Sequence, residues 1–326
     1  MQYGVRDGFE ARVACSRRIE GGQTFGWPSP QRQELCRSKA EAVKVSEHTR
    51  IIYDLGANKG DNIPYYLKKA DKVVAVEANP VLANQIRARF RDAISDGRLI
   101  VHNCVLTCDK DDHEVSFYIH KTLDVKSQFP RPDADHMDQF TEIQLPSMGV
   151  LDLIDRHGRA FYMKIDIEGY DQTILRELFV NNIKPEFISA ESHSVQVFAL
   201  LLTLGAYGSF NIVDGARVVS KYKNSPIKTA SGVERYSFPE HSAGPFGEDI
   251  AGEWMTPDNF FRLLAFEQLG WKDVHATNAI PPDQNRHVYS ANYLHKEIMR
   301  QVADATYARP PLLYSALRKA RRSLSL

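Results

Sequence analysis

From residue 50 onward, short apolar runs alternate with segments whose apolar positions recur every three or four residues. Short runs rich in β-branched residues predict buried strands, and the longer spacing predicts amphipathic helices. The predicted core strands are Ile51–Leu55, Val73–Glu77, Leu99–Val105, Phe161–Ile165, Pro185–Ala190 and Ser209–Val213. This alternation predicts an α/β protein with a mostly parallel sheet and helices on both faces.

Several other segments lie outside this alternation. Glu114–His120 and Thr141–Leu145 predict two additional strands around a proline-containing loop. A strand near Val233–Phe238 is expected to pair with Ser209–Val213 as a hairpin. Thr256-Pro257 predicts the start of a helix that extends through Leu269.

These patterns divide the chain into three parts. Residues 1–47 are rich in Arg, Gly, Gln and Ser and predict an irregular lead-in. Residues 48–240 form the predicted α/β domain. Residues 241–326 are expected to form a C-terminal, mainly helical extension.

Composition narrows the classes of partner. The chain of 326 residues has 41 basic and 41 acidic side chains and 43% hydrophobic residues. Nucleic-acid binders usually carry a basic excess, so we expect no nucleic-acid partner. The sequence has no apolar run of the roughly 20 residues needed to span a bilayer. It also lacks a secretory leader pattern, so a cytoplasmic location is expected.

The cysteines and the C-terminal tail have simple interpretations. The four cysteines form no Cys-x-x-Cys pair, which argues against a cysteine zinc site. The tail Leu312–Leu326 spaces apolar residues at helical intervals beside Arg and Lys. Such a tail can contact an anionic membrane surface, although a solvated terminal helix is the simpler interpretation. The sequence does not determine the oligomeric state.

A glycine-rich turn follows the first predicted strand, with the sequence Asp54-Leu55-Gly56-Ala57-Asn58-Lys59-Gly60. A strand, a glycine turn and a helix N-terminus together favour a nucleotide-like ligand. Glu77 ends the second strand, where an acid can accept both ribose hydroxyls. A dinucleotide fingerprint would require glycine at positions 58 and 61, where this chain has Asn58 and Asp61. No Gly-Lys-Ser/Thr of a P-loop follows either.

Asp54 sharpens the choice of ligand. A carboxylate at the strand end would repel a phosphate, whereas it can accept hydrogen bonds from the ammonium group of S-adenosylmethionine, directly or through water. The loop therefore favours S-adenosylmethionine over a dinucleotide, and a dehydrogenase is disfavoured.

Four segments occur in order that together resemble the FkbM-type methyltransferases: Asp54–Asn62, Val76–Pro80, Lys164–Asp171 and Ile188–His193. The resemblance covers roughly residues 48 to 215. It implies a Rossmann-like class I methyltransferase fold, whose seven-stranded sheet has an antiparallel last strand. It also implies S-adenosylmethionine as cofactor and usually an oxygen acceptor, on a sugar of a glycan or on a small metabolite. The residues expected to bind the cofactor are Asp54, Gly56, Asn58, Gly60, Asn62, Glu77, Ala78, Asn79 and Asn103. Many class I enzymes have an aspartate beside the adenine where this chain has Asn103.

The acceptor side is predicted from the ends of two later strands. Asp166 and Glu168 follow the fourth core strand, and Glu191 and His193 follow the fifth. A hydroxyl acceptor requires a base, and His193, with an ordinary pKa of about 6.5, is the predicted one. Alternatively, His193 caps the helix that begins at Val195. Glu168 can equally accept N–H bonds in the first turn of the helix that follows Glu168 itself.

Other interpretations remain open at this point. Asp166, Glu191 and His193 have side chains that can ligate Mg²⁺, but no ligand spacing indicates a site, so no metal is predicted. An N-directed methyltransferase is an alternative, although the Asp/Asn-Pro-Pro-Tyr/Phe motif is absent after the fourth strand. A non-catalytic binding protein with the same fold is another. The intact residues of the glycine loop and Glu77 argue against it.

Overall fold

The computed structural model describes residues 49–109, 113–267 and 270–284, without the side chains of residues 266 and 267. The predicted lead-in over residues 1–47 and the predicted tail contact with membranes lie outside the described residues. Within the described part of the chain, no helix combines the length and the apolar character needed to cross a bilayer.

Twelve strands and eight helices make up the described fold. The strands are β1 Ile51–Leu55, β2 Lys72–Val76, β3 Leu99–His102, β4 Val105–Thr107, β5 Glu114–His120, β6 Phe140–Gly149, β7 Tyr162–Ile165, β8 Phe187–Ser192, β9 Ser209–Asp214, β10 Ser225–Thr229, β11 Gly232–Tyr236 and β12 Gly270–Thr277. The helices are α1 Ile63–Lys69, α2 Pro80–Arg89, α3 Arg91–Ser95, α4 Val150–His157, α5 Asp171–Val180, α6 Val195–Thr203, α7 Val218–Lys221 and α8 Pro257–Glu267.

The main sheet has seven strands in the order β3-β2-β1-β7-β8-β12-β9. Its strands pair in parallel except β12, which is antiparallel to both of its neighbours. The expected α/β fold with an antiparallel last strand is therefore confirmed. The chain reverses its direction along the sheet between β1 and β7, which is where open α/β sheets bind their ligands.

The predicted partner of the sixth core strand was wrong. β9 pairs with β12, in register from Ser209 opposite Thr277 to Asp214 opposite Lys272. The segment expected there, near Val233–Phe238, instead forms the separate hairpin of β10 and β11. β12 escaped prediction because its sequence, Gly-Trp-Lys-Asp-Val-His-Ala-Thr, contains no apolar run. The sheet therefore extends past the domain boundary expected at residue 240.

The two predicted additional strands are present as β5 and β6, which pair antiparallel. They belong to a three-stranded sheet of order β4-β6-β5. The predicted third strand, Leu99–Val105, ends at His102 as β3, and its last residue, Val105, begins β4, which pairs with β6. This small sheet lies next to the cavity described below. The loop between β5 and β6 forms one wall of that cavity.

Apolar layers cover both faces of the main sheet. On one face, α5 buries Ile174, Leu175 and Leu178 completely. On the other face, the ring of Phe246 stacks on Tyr162 of β7, with centroids 3.9 Å apart. The packed layers fix the strands, so the loops at their carboxyl ends are held on a rigid frame.

Candidate cofactor and acceptor site

The carboxyl ends of β1, β2, β7 and β8 border a cavity of about 450 Å³. This volume is in the range of small-molecule sites. Residues from all of these strand ends line it, together with the loop between β5 and β6: Gly56, Asn58, Glu77, Ala78, Asp166, Glu168, Glu191 and residues 124–129. The structure thus brings the predicted cofactor loop and three of the four predicted acceptor-side residues to one cavity.

The glycine loop needs its glycine at position 56. Gly56 has φ +85°, and a Cβ there would overlap the carbonyl oxygen of Asp166. Its N–H donates to the carbonyl oxygen of Val76 over 3.0 Å. Gly60 has φ +77° and donates its N–H to the carbonyl oxygen of Ala57 over 2.8 Å. The loop therefore passes close to two neighbouring strands, which leaves the cavity open above it.

Glu77 is held by backbone donors rather than by cations. Its two carboxylate oxygens accept N–H bonds from Asn58, at 2.7 Å, and Asn79, at 2.8 Å. Burial raises the pKa of this carboxyl to about 7, while the two N–H donors oppose the shift. Glu77 thus connects the glycine loop with the start of α2 and presents its remaining lone pairs toward the cavity that it lines.

Three predicted cofactor residues have mainly backbone roles here. Asn103 donates its side-chain amide to the carbonyl oxygens of Glu77, at 2.9 Å, and Ala78, at 2.7 Å. Asn79 caps α2 by accepting the N–H of Val81. Neither Asn103 nor Asn79 lines the cavity, whereas Ala78 does. Next to Asn103, the chain presents apolar Val105 and other small residues to the cavity instead of an acid.

A smaller cavity of about 50 Å³ adjoins the glycine loop. Asn62 lines it, and its Oδ1 accepts the N–H of Ala243 over 2.8 Å. Asp54 is fully buried and lines neither cavity. Burial raises the pKa of Asp54 to about 6, with nearby Lys164 opposing the shift.

Asp166 is tied to a buried lysine. Lys164 of β7 is 3% exposed, and its Nζ lies 2.6 Å from Oδ2 of Asp166. Burial would raise the pKa of Asp166, but the Lys164 ammonium outweighs it and holds that pKa below its ordinary value. Asp166 is therefore a carboxylate at neutral pH, at the border between the two cavities.

Glu168, Glu191 and His193 converge at the rim of the larger cavity. Nε2 of His193 lies 2.9 Å from Oε2 of Glu191 and 3.7 Å from Oε2 of Glu168. The hydrogen bond that His193 donates to the Glu191 carboxylate raises the pKa of His193 to about 9, while burial opposes the shift. Burial raises the pKa of Glu168 to about 7. The pKa of His193 therefore lies well above the ordinary value of about 6.5 that the sequence analysis assumed. Without ligand, His193 is protonated at neutral pH.

This arrangement can accept protons or bind a cation. One ligand atom each from Glu168, Glu191 and His193 lies within 4.8 Å of the others. Asp166, considered for a metal from the sequence, does not join this group because it faces Lys164. The alternative role of Glu168, binding the first turn of α5, is not seen among the described residues, since no side chain caps this helix. Asp171, at the start of α5, accepts the N–H of Ile167 in the preceding loop over 2.7 Å. The alternative cap of α6 is Ser194, not His193.

Residues 54–209 match the family model described as the methyltransferase FkbM domain. The chain carries an FkbM methyltransferase domain. The predicted family, the class I fold and S-adenosylmethionine as its cofactor are confirmed. The model match begins at Asp54, the first residue of the glycine turn, and ends at the start of β9.

Solved structures similar to this chain share little sequence with it. An O-methyltransferase from Bacillus cereus in complex with SAH is 10% identical, covers 77% of this chain and 82% of its own, and has a TM-score of 0.31. A precorrin-6y C5,15-methyltransferase from Geobacter metallireducens is 11% identical, with coverages of 63% and 85% and a TM-score of 0.32. No curated protein sequence matches the chain. The family assignment rests on the family model and the strand order.

The two cavities are also lined by residues that the sequence did not identify. Lys164 and Asp273 of β12 line the smaller cavity, and His241 and Trp271 line both cavities. Lys164 lies within a predicted buried strand. A charged residue in such an apolar run is a signal that could have marked it as part of the site. The other three lie beyond the family match, and their place depends on the insertion of β12 into the sheet.

Proposed function

We propose that this methyltransferase transfers the methyl group of S-adenosylmethionine to a hydroxyl group of a sugar or another small metabolite. The observation that carries the proposal is the group formed by Glu168, Glu191 and His193. It borders the cavity whose other wall is the glycine loop and Glu77. A hydroxyl must lose its proton as it attacks, so an O-directed enzyme requires a proton acceptor at this place.

The residues present fit the cofactor. The open space over Gly56 and the carboxylate of Glu77 suit a ribose, whose hydroxyls donate hydrogen bonds. Asp166 adds a negative charge between the two cavities. When bound, S-adenosylmethionine supplies the electrophilic methyl group on a positively charged sulfur. The protein's share of the work is then to align the acceptor and to take up its proton.

His193 is the proposed base, oriented by Glu191. A base hydrogen-bonded to an orienting carboxylate is a recurring arrangement in enzymes. In the protein without ligand the imidazole is protonated at neutral pH, because its pKa is raised to about 9. A positively charged group in the neighbouring cavity disfavours the imidazolium and lowers this pKa. Glu168, with a pKa of about 7, is the second group at the rim that can take up a proton.

Transfer of an isotope-labelled methyl group tests the proposed function. Purified protein and labelled S-adenosylmethionine are incubated with a metabolite and glycan extract, and the labelled product is identified by mass spectrometry and NMR. We expect a methyl ether on a hydroxyl, formed about 100-fold or more slowly by the His193→Gln variant. A label on nitrogen or carbon would contradict the O-directed proposal while leaving the methyltransferase assignment intact.

A further inference from the structure

A buried charge cluster lies beneath the glycine loop. Lys164 faces three carboxyl groups, those of Asp166, Asp273 and Asp54. Asp166 is in direct contact with the lysine ammonium. Asp54 and Asp273 are 0% and 6% exposed, respectively. One buried lysine therefore stands against three acids, of which Asp54 and Asp273 are buried and the Asp166 side chain is 33% exposed.

The two other acids are poorly satisfied. Among the described residues, no donor makes a hydrogen bond of ordinary geometry to either carboxylate oxygen of Asp54 or to Oδ2 of Asp273. Burial raises the pKa of Asp273 to about 7, with Lys164 opposing the shift. A buried carboxylate without a partner is costly, and a bound cation would remove that cost.

Only one of these two acids lines a cavity. Asp273 lines the smaller cavity together with Asn62, Lys164 and Asp166, whereas Asp54 lines neither cavity. The smaller cavity holds a few water-sized groups, and its walls share Gly56 and Asp166 with the larger cavity. A ligand that fills the larger cavity can therefore extend a short polar end toward Asp273.

We propose that Asp273 accepts the α-ammonium group of the methionine part of the cofactor, the contact that sequence analysis expected of Asp54. The proposal deepens the proposed function, since it rests on S-adenosylmethionine filling the larger cavity. Asp273 stands on β12, outside the matched residues 54–209. β12, which completes the sheet, thus also completes the cofactor site. Asp54 makes no direct contact in this proposal and acts only through the electrostatic field of its carboxyl group behind the cavity.

Calorimetry with three neutral-sulfur probes tests the assignment. S-adenosylhomocysteine has both an ammonium and a carboxylate, its decarboxylated analogue S-adenosyl-3-thiopropylamine has the ammonium alone, and 5′-methylthioadenosine has neither. For Asp273→Asn we expect the dissociation constants of the first two to rise by about 10- to 100-fold, as for a lost charge-assisted hydrogen bond. The dissociation constant of 5′-methylthioadenosine should change by less than about twofold.

His275→Gln is the matched control, because His275 is buried on the same face of β12 but lines neither cavity. It should leave all three dissociation constants unchanged, and circular dichroism should show both variants folded. If Asp273→Asn does not fold, the wild-type protein still decides: the amine analogue must bind it more tightly than 5′-methylthioadenosine does. Equal binding of those two probes, or equal weakening of all three by Asp273→Asn, overturns the proposal. Failure of wild-type protein to bind any of them contradicts the cofactor site as a whole.

Discussion

The glycine loop between β1 and α1 and the cluster at the ends of β7 and β8 face the same cavity, yet they are held in different ways. The loop is fixed by backbone hydrogen bonds and by glycines with positive φ, such as Gly56. The cluster is fixed by ionisable side chains, with His193 bonded to Glu191. The geometry of the loop is therefore set mainly by the backbone, whereas that of the cluster depends on protonation.

This difference separates two kinds of sensitivity. Adding a single carbon atom to the loop should damage the cofactor half more than a change of pH does, although Glu77, with a pKa of about 7, makes this half sensitive to acid. The acceptor half should respond in the opposite way, because small changes of shape are tolerated at an exposed rim while a change of charge is not.

The largest effect is expected from Gly56→Ala. The new Cβ would overlap the Asp166 carbonyl, and alanine is strained at φ +85°. We expect a loss of several kcal/mol of stability or of all measurable S-adenosylhomocysteine binding, by thermal denaturation and calorimetry. Gly97→Ala is the control, because Gly97 also has positive φ but an added Cβ meets nothing within 4 Å. It should cost about 1 kcal/mol and leave binding unchanged. Equal effects would show that strain alone, and not the close approach of β7, requires glycine at position 56.

His193→Gln should lower kcat by about 100-fold or more, since general base catalysis commonly contributes that much. The affinity for S-adenosylhomocysteine should not change, because His193 lies at the acceptor rim. His136→Gln, at an exposed position in the loop between β5 and β6 that lines neither cavity, should leave kcat unchanged. A normal kcat for His193→Gln would remove the base from the proposed mechanism.

Glu77→Gln should weaken S-adenosylhomocysteine binding by more than about tenfold. A glutamine amide can accept only one of the two backbone N–H bonds from Asn58 and Asn79 and sets a donor against the other. Calorimetry measures the change, with exposed Glu114→Gln on β5 as the control. An unchanged dissociation constant would remove Glu77 from the cofactor half.

The pH profile of kcat/KM should distinguish the two halves further. Because kcat/KM reports the free enzyme, activity should rise with pH toward the His193 pKa of about 9. Glu191→Gln removes the main cause of the raised pKa, so the rising limb should move to lower pH by about one unit. Glu168→Gln should move it less, since Glu168 is 3.7 Å away. A limb that stays in place in Glu191→Gln would assign the titration to another group.

The smallest effect concerns the ion pair between Lys59 of the glycine loop and Asp124 of the segment above the cavity. Their charged atoms are 3.6 Å apart and both side chains are about half exposed. Exposed pairs contribute about 0–1 kcal/mol, so Lys59→Gln should weaken cofactor binding by no more than about threefold. The effect should vanish at high salt. An effect of tenfold that survives salt would indicate that Lys59 contacts the cofactor directly.

The sequence was most informative where the chemistry is local. The glycine loop, the acid at the end of β2 and the cap at Asn79 each depend on residues close together in the chain, and each lies where it was predicted. Asp273 could not be placed beside Lys164 because the two are 109 positions apart. The raised pKa of His193 depends on the orientation of Glu191, which no spacing reveals.

The position of β12 has a consequence for how the chain acquires its shape. Since β12 lies between β8 and β9, the sheet cannot close until residue 277 has been synthesised. Until then, the facing edges of β8 and β9 are open and able to pair with the wrong strand or with another chain. The long sequence separation of these pairings also predicts slow folding. Truncation before Gly270 should therefore yield aggregates rather than a smaller working enzyme.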